Sequence, residues 1–398
     1  MRRFADRHIQ EICRELKDFD AVNLQLEHGT LGRTAGEIFR RFNWIVRASP
    51  QLSVTFHTVF DPAPFDHARW FKAISRFNFF EAAALRGKYR RAHLLSAGIA
   101  KRLRHAQRFK PVAIVVHTRR DMWHMKYVHA LRQVYDHPLS FLSDSEAEAI
   151  RRNASRRKFP ILDAVPDDTK LVGVFGFIGR YKGFDTVIRA LHHLPDDHHL
   201  VIFGGIHPNE IKPHQTIDPN VTSLFEAGFV DTNVAERIRA APTPGTPTVS
   251  VAVDGSMRDL LIHHPKDLSR RIHFLGATSD ADFVTGMAIC DAVVFPYLEV
   301  GQSSSGPISQ ALELGCRVIA SRTHTFLQLG KYHKDMIEYF DIGNHLELAA
   351  RLLARPQYDI RSRRLDFNVD TNRAVYLAAN GCKPRRMPPA GATGRASQ

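Results

Sequence analysis

The second half of the chain alternates continuous apolar runs with amphipathic stretches. The apolar runs are residues 171–177 (LVGVFGF), 199–205 (HLVIFGG), 248–253 (TVSVAV), 271–276 (RIHFLG), 292–297 (AVVFPY) and 317–321 (RVIAS). Runs without a polar face, separated by helical patterns, predict a parallel, doubly wound sheet covered on both faces. Helical patterning at 345–355 closes this region. Segment 207–250 is richer in Pro, Thr and Asn and reads as a long insertion.

The first half is less regular. Phe4, Ile9, Ile12, Leu16 and Phe19 recur at helical spacing. Three strands stand out: 21–29 (AVNLQLEHG), read as a buried strand ending in a turn, 52–58 (LSVTFHT) and 113–118 (AIVVHT). Helices are expected over 33–48, in two or three pieces over 66–110, over 121–135 and over 144–157. Three strands are few for an open α/β sheet. The expectation is therefore a domain lacking its first strand and Gly-rich loop, or else a reduced one. The domain division expected is 1–165, 166–382 and a disordered tail at 383–398 (KPRRMPPAGATGRASQ).

Two segments share one layout of apolar strand, Gly- or Ser-rich loop and amphipathic helix. They are 171–191 (LVGVFGFIGRYKGFDTVIRAL) and 290–321 (CDAVVFPYLEVGQSSSGPISQALELGCRVIAS). Such a loop gathers free backbone N–H groups at a helix N-terminus, where they can hold phosphate. Two of them, with Lys182 in the first, point to a diphosphate gripped from two sides. Ser303, Ser304, Ser305 and Gly306 stand at the second helix start, where capping without a ligand is the alternative.

Charge adds a second constraint. The net charge is +14, and residues 1–165 hold 30 Lys and Arg against 16 Asp and Glu, so the whole surplus lies there. A one-sided basic field favours a polyanionic partner, with general solubility as the bland alternative. Trp70, Phe71, Phe77, Phe79 and Phe80 lie among Arg69, Lys72 and Arg76. Leu95, Ile99 and Leu103 form a stripe beside Arg90, Arg91, Lys101, Arg102 and Arg104. That composition suits a helix at an anionic membrane surface, or a core-packed helix with a solvated face. Nucleic acid is not expected, because no recognition helix, zinc finger or RNP motif is present. No apolar run reaches the roughly 18 residues of a membrane span. Cys13, Cys290, Cys316 and Cys382 are scattered and read as reduced thiols of a cytosolic protein. The adjacent histidine pairs at 192–193, 198–199 and 263–264 point apart, and no metal site is expected.

On the residues of the two loops, the chain resembles retaining glycosyltransferases of the GT-B fold, glycosyltransferase family 4. The likeness is strongest over about 170–345 and visible at LQLEHGTLG and VTFHT. It implies two Rossmann-like domains facing a cleft, an N-terminal acceptor domain and a C-terminal donor domain. It implies no metal and no cofactor beyond a nucleoside-diphosphate sugar. In the family's Gly-Arg…Lys-Gly loop the Lys-Gly pair is Lys182–Gly183 here, and Gly179 of the same loop is implied in donor binding. Phe177 stands at the usual arginine position, and Arg180 is the alternative cation. The family's two glutamates, eight residues apart, fall on Gln302 and Gln310. The first implies a contact with the donor sugar and the second with the ribose. Gln can still bond hydroxyls but supplies no charge. Glu313, about 300° around the helix from Gln310, is a poorer ribose ligand. His57, at a strand end, is implied at the reacting centre, and His28 with Gly29 on the acceptor side. Gly29 has a plainer alternative, a turn needing positive φ.

The expected function is therefore transfer of a hexose to a glycan or lipid-linked acceptor hydroxyl, in the cytoplasm and peripherally at the inner membrane face. The alternative is a catalytically impaired sugar-nucleotide-binding homologue or a truncated fragment, which Gln302, Gln310 and Phe177 favour.

Overall fold

A computed structural model of the protein describes residues 2–60, 64–206, 268, 270–301, 303–356 and 364–382. They form two compact units. The first contains the chain up to Leu139, Ser303–Ser304 and the segment from Phe367. The second contains Ser140–Gly301 and Ser305–Asp366.

The first unit opens with α1 (Arg2–Glu15), β1 (Val22–Leu26), α2 (His28–Leu31), α3 (Ala35–Ala48) and β2 (Leu52–Phe56). The helices α4 (His67–Ser75), α5 (Phe79–His93) and α6 (Ile99–Ala106) follow, then β3 (Val112–Val116), α7 (Arg119–Trp123) and β4 (Val134–Asp136). The strands pair in parallel in the order β1-β2-β3-β4. Thr34 and Glu37 form a reciprocal capping box that starts α3. That helix buries Phe42, Ile45 and Val46 against Leu26, Val54, Leu103 and Ile114. The stripe of Ile99 and Leu103 is fully buried, so α6 is a core helix, not a surface one.

The second unit contains α8 (Asp144–Asn153), β5 (Lys170–Phe175), α9 (Phe184–Leu191), β6 (His198–Phe203) and β7 (Ile272–Gly276). After them come α10 (Asp280–Ile289), β8 (Ala292–Phe295), α11 (Gly306–Glu313), β9 (Val318–Ser321), α12 (His324–Leu329), β10 (Ile337–Phe340) and α13 (His345–Leu353). The order β10-β9-β8-β5-β6-β7 is parallel throughout. Phe175, Phe203, Val293, Phe295 and Leu312 fill one face. Val172, Val174, Leu200, Ile202 and Val294 fill the other, with Val187 and Leu348 from the covering helices. Covering both faces is what the unbroken apolar runs require.

The chain then returns to the first unit as α14 (Val369–Ala379). Tyr376 and the following Asn380 meet two buried hydroxyls of β2. Ser53 Oγ donates to Asn380 Oδ1 (2.9 Å) and Thr55 Oγ1 bonds Tyr376 Oη (3.1 Å).

Several expectations change. The first unit has a fourth strand, β4, which begins at the end of the stretch expected as helix over 121–135. β1 is an edge strand with Asn23 and Gln25 exposed, not a buried one. β10 was not foreseen, because Glu338 interrupts its apolar pattern. That carboxylate is buried and held by Arg317 Nε at 2.8 Å. The division falls at Leu139/Ser140 rather than 165/166, since Ala147, Phe159, Leu162 and Val165 pack into the second unit's core. The run TVSVAV, the insertion at 207–250 and the tail at 383–398 lie outside the described residues.

Phe42 has no solvent exposure. Phe42→Ala is expected to destabilise the first unit by about 3–5 kcal/mol, read from urea denaturation.

Candidate functional site

In the second sheet the chain passes from β5 outward to β6 and β7, then returns to the other side of β5 as β8 and continues to β9 and β10. The direction therefore reverses between β5 and β8, which pair through Val172–Ala292 and Val174–Val294. Open α/β sheets bind ligands at such a point, outside the carboxyl ends of the strands. Both loops singled out from the sequence start there.

The two loops are stitched together. Leu298 N–H donates to the Tyr181 carbonyl at 2.7 Å. Gly183 has φ +62°, and a Cβ at this position would lie 2.1 Å from the Pro296 carbonyl oxygen. Only glycine satisfies both the left-handed backbone and that approach. Tyr297 is buried, and its ring stands edge-on to Tyr181 at 6.0 Å.

Lys182 lies at the centre of this seam and is only 5% exposed. Its Nζ donates to Tyr297 Oη, which in turn bonds Ser305 Oγ at 3.2 Å. The ammonium also lies 3.8 Å from the Tyr297 ring centre and 5.1 Å from that of Tyr181. Among the described residues no carboxylate pairs with it. Burial lowers its pKa from 10.5 to about 7 and raises that of the Tyr297 phenol, which stays neutral.

The helices that leave the two loops have open starts. α9 follows Gly183 and α11 follows Ser305, and among the described residues neither has a side-chain cap. By contrast, Ser279, Thr323 and Asn344 cap α10, α12 and α13. The Ser305 hydroxyl is turned to Tyr297 instead, so the capping alternative fails at this residue. Without a side-chain cap, the first turns offer the N–H groups of Phe184, Asp185, Gly306 and Ile308 to an anion, while Pro307 has none to give.

Two nearby carboxylates are already committed. Glu299 accepts from Gly301 N–H (3.1 Å) and His324 N–H (2.7 Å). Glu313 accepts from Ser140 Oγ (2.6 Å), Phe141 N–H (2.9 Å) and Leu142 N–H (3.1 Å), and burial raises its pKa.

The remaining candidates fall variously. Gly179 precedes the short turn Arg180–Lys182. Arg180 is exposed and makes no ion pair among the described residues. Gly306 opens α11 beside the Phe141 ring, and Gln310 is half-buried on that helix. Gln302 lies outside the described residues. Ser303 and Ser304 belong to the first unit, where Ser303 Oγ accepts from Val59 N–H at 3.1 Å. His57 is half-buried, with Nε2 at 2.8 Å from Gln25 Oε1, and burial lowers its pKa. His28 is buried against Phe60, its ring 4.5 Å away, and its Nε2 has no hydrogen-bond partner among the described residues. Gly29 lies inside α2 rather than in a turn with positive φ, which corrects that expectation.

Two residues given no role from the sequence belong in this account. Tyr297 follows Pro296 directly past the end of β8, and that position was its only signal. His117 ends β3 as His57 ends β2, and the shared His-Thr dipeptide at the two strand ends was the signal. Their rings are 5.1 Å apart. His117 Nδ1 bonds the His137 carbonyl at 3.1 Å, while its buried Nε2 has no partner among the described residues. Burial lowers its pKa to about 4, so the imidazole is neutral.

No family model matches this sequence, and no curated protein matches it. The fold has clear counterparts. The α,α-trehalose-phosphate synthase (UDP-forming) of Burkholderia xenovorans, in complex with glucose-6-phosphate, matches with TM-score 0.59 at 11% identity, over 96% of this chain and 78% of that one. HepE of Anabaena in complex with UDP matches with TM-score 0.54 at 15% identity, over 94% and 82%. A glycosyltransferase from Rickettsia africae matches with TM-score 0.54 at 13% identity, over 94% and 80%. The chain has the GT-B fold of these proteins, built from two parallel-sheet α/β domains.

Gly183→Ala forces a side chain into both the left-handed backbone and the Pro296 carbonyl. A loss of at least about 1–2 kcal/mol in unfolding free energy is expected. Unchanged denaturation would mean that the seam is not as tight as described.

Proposed function

We propose that the protein is a glycosyltransferase that moves a hexose from a nucleoside-diphosphate sugar to a hydroxyl of a glycan or lipid-linked acceptor, with retention at the anomeric carbon. The observation that carries this proposal is Lys182, a buried cation with no carboxylate partner among the described residues, at the point where the second sheet reverses direction and beside two uncapped helix starts. A buried charge of this kind is costly unless an anion joins it. A diphosphate supplies that anion, and complexes of HepE with UDP and UDP-glucose support it as the ligand class to try first.

In the proposed reaction the bond between the anomeric carbon and the diphosphate oxygen breaks. Lys182 and the amides of α9 and α11 stabilise the charge that develops on the departing diphosphate. The acceptor hydroxyl attacks from the same face, and its proton passes to a diphosphate oxygen. Gln302 is assigned to the donor sugar and Gln310 to the ribose. Arg180 is assigned a secondary role at the phosphates. His57 is the first unit's contribution to the transfer, with His28 and Gly29 assigned to the acceptor. No metal is required, since the ammonium and amides supply the positive charge. Cytoplasmic location and peripheral contact with an anionic membrane complete the proposal.

A second reading, sugar-nucleotide binding without transfer, is favoured by Gln302, Gln310 and Phe177 in place of the family's two acids and its arginine. The two readings separate when purified protein is offered UDP-glucose with candidate acceptors and UDP release is followed.

The binding step is tested by thermal shift with UDP-, GDP- and ADP-sugars. One nucleotide family is expected to stabilise the protein. Lys182→Met replaces the buried amine with an apolar chain, so it is expected to fold and to lose most of that shift. No shift from any nucleotide would overturn the assignment of the site.

The pH dependence has a definite sign. Free Lys182 loses its proton near pH 7, and a bound diphosphate raises that pKa. Between pH 7 and the raised value, binding must take up a proton, so affinity falls as pH rises, at most about tenfold per pH unit. Calorimetry in buffers of different ionisation enthalpy reads this uptake directly. Proton-neutral binding at pH 8 would show that Lys182 does not meet the anion.

A further inference from the structure

Helices α4 and α5 form a hairpin whose surface does not fit a simple solvated face. At its turn, Phe77 is 81% exposed and Phe80 92%, with Phe71 and Phe79 also largely in solvent. Phe77 is held at φ +54°, a left-handed conformation that bulky residues seldom take. Toward the open end of the hairpin, Phe65, His67, Trp70, Arg86, Tyr89 and Arg90 line a cavity of about 480 Å³. Its wall is aromatic, with Phe65 5.2 Å from Tyr89 and 6.1 Å from Trp70 between ring centres. Arg86 and Arg90 are one helical turn apart, both exposed, and neither makes an ion pair among the described residues. Residues 64–93 carry seven Lys and Arg against two acids, and Glu81 is already paired with Arg69 at 3.1 Å.

We infer that this hairpin docks the protein on an anionic phospholipid bilayer. The phenylalanines of the turn enter the acyl boundary, and Arg86 and Arg90 bind a lipid phosphate over the aromatic wall. Charge complementarity decides for this occupant, since the unpaired arginines need anions and the exposed rings need an apolar medium. Spacing agrees. Arg86 lies six to seven residues along α5 from Phe79 and Phe80, or about 10 Å at 1.5 Å per residue. With α5 standing on the bilayer, that separation lets the rings pass below the head groups while the guanidinium stays at the phosphates. Among the described residues no helix is long and apolar enough to cross a membrane, so the contact is peripheral. The inference gives a surface to the membrane contact proposed above, and it requires neither donor binding nor sugar transfer.

The test is co-sedimentation of the full chain with phosphatidylcholine vesicles, with and without phosphatidylglycerol. Binding is expected only to the anionic vesicles and is expected to weaken with added salt. Phe77→Ser with Phe80→Ser, and separately Arg86→Glu with Arg90→Glu, should each weaken it by at least about tenfold. Both pairs are exposed, so circular dichroism melts should match wild type. Equal binding to neutral vesicles, or full binding by either variant, overturns the inference. Tight binding of free glycerol phosphate lost in Arg86→Glu/Arg90→Glu, without vesicle binding, makes this a soluble-phosphate site and also overturns it. Self-association abolished by the phenylalanine variant, without vesicle binding, does the same. Thermal shift with UDP on the same samples keeps the outcomes separate, since failure on vesicles with an intact nucleotide shift removes the docking surface alone.

Discussion

The arrangement around Lys182 depends on the parallel pairing of β5 with β8. That pairing sets the carboxyl ends of two strands, distant in sequence, side by side, so that one loop's lysine lies under the other loop's tyrosine. The cost falls on one protonation state. A fall in pKa from 10.5 to about 7 disfavours the ammonium by roughly 5 kcal/mol relative to water. The Tyr297 and Tyr181 rings and the Tyr297 hydroxyl return part of that, but none of them carries charge. An anion would restore the balance, so the cation is both a weak point of the second unit and its most specific chemical feature.

The other polar groups near the seam are already used, which narrows its chemistry. Glu299 ties its own loop to the start of α12, and Glu313 holds the segment from Ser140 to Leu142. With both carboxylates occupied by backbone N–H groups, what remains open is cationic or amide in character. The first unit shows the opposite economy at its β2 face, where Ser53 and Thr55 bond both Asn23 of β1, at 2.7 and 3.4 Å, and the returning segment of α14. Partners on both sides explain why two hydroxyls sit in an otherwise apolar strand without penalty.

Much of the fold was legible because its signals are local. Continuous Val, Ile and Phe runs gave β5, β6, β8 and β9, and helical spacing gave α3 and α6. β10 was hidden because its glutamate is neutralised by Arg317, a residue of another segment. β4 was hidden because three residues carry too little periodicity to stand against a helical surrounding. The boundary at Leu139/Ser140 was missed because Phe159, Leu162 and Val165 look alike whichever core they join. At the site, Lys182, Gly183 and Ser305 could be named from their loops, but Tyr297 and His117 carried only a strand-end position as a signal, since their importance lies in neighbours far along the chain.

The sequence by itself determined the class of the second domain, its two strand–loop–helix units and the glycine and lysine that mark the first of them. These follow from periodicity and backbone stereochemistry, which act over a few residues. Tertiary structure alone decided that the two loops touch, that Lys182 is buried beside a neutral phenol rather than solvated, and which carboxylates are spent on structure. Burial and proximity depend on strand order, and strand order is set by which strand comes back to lie beside β5.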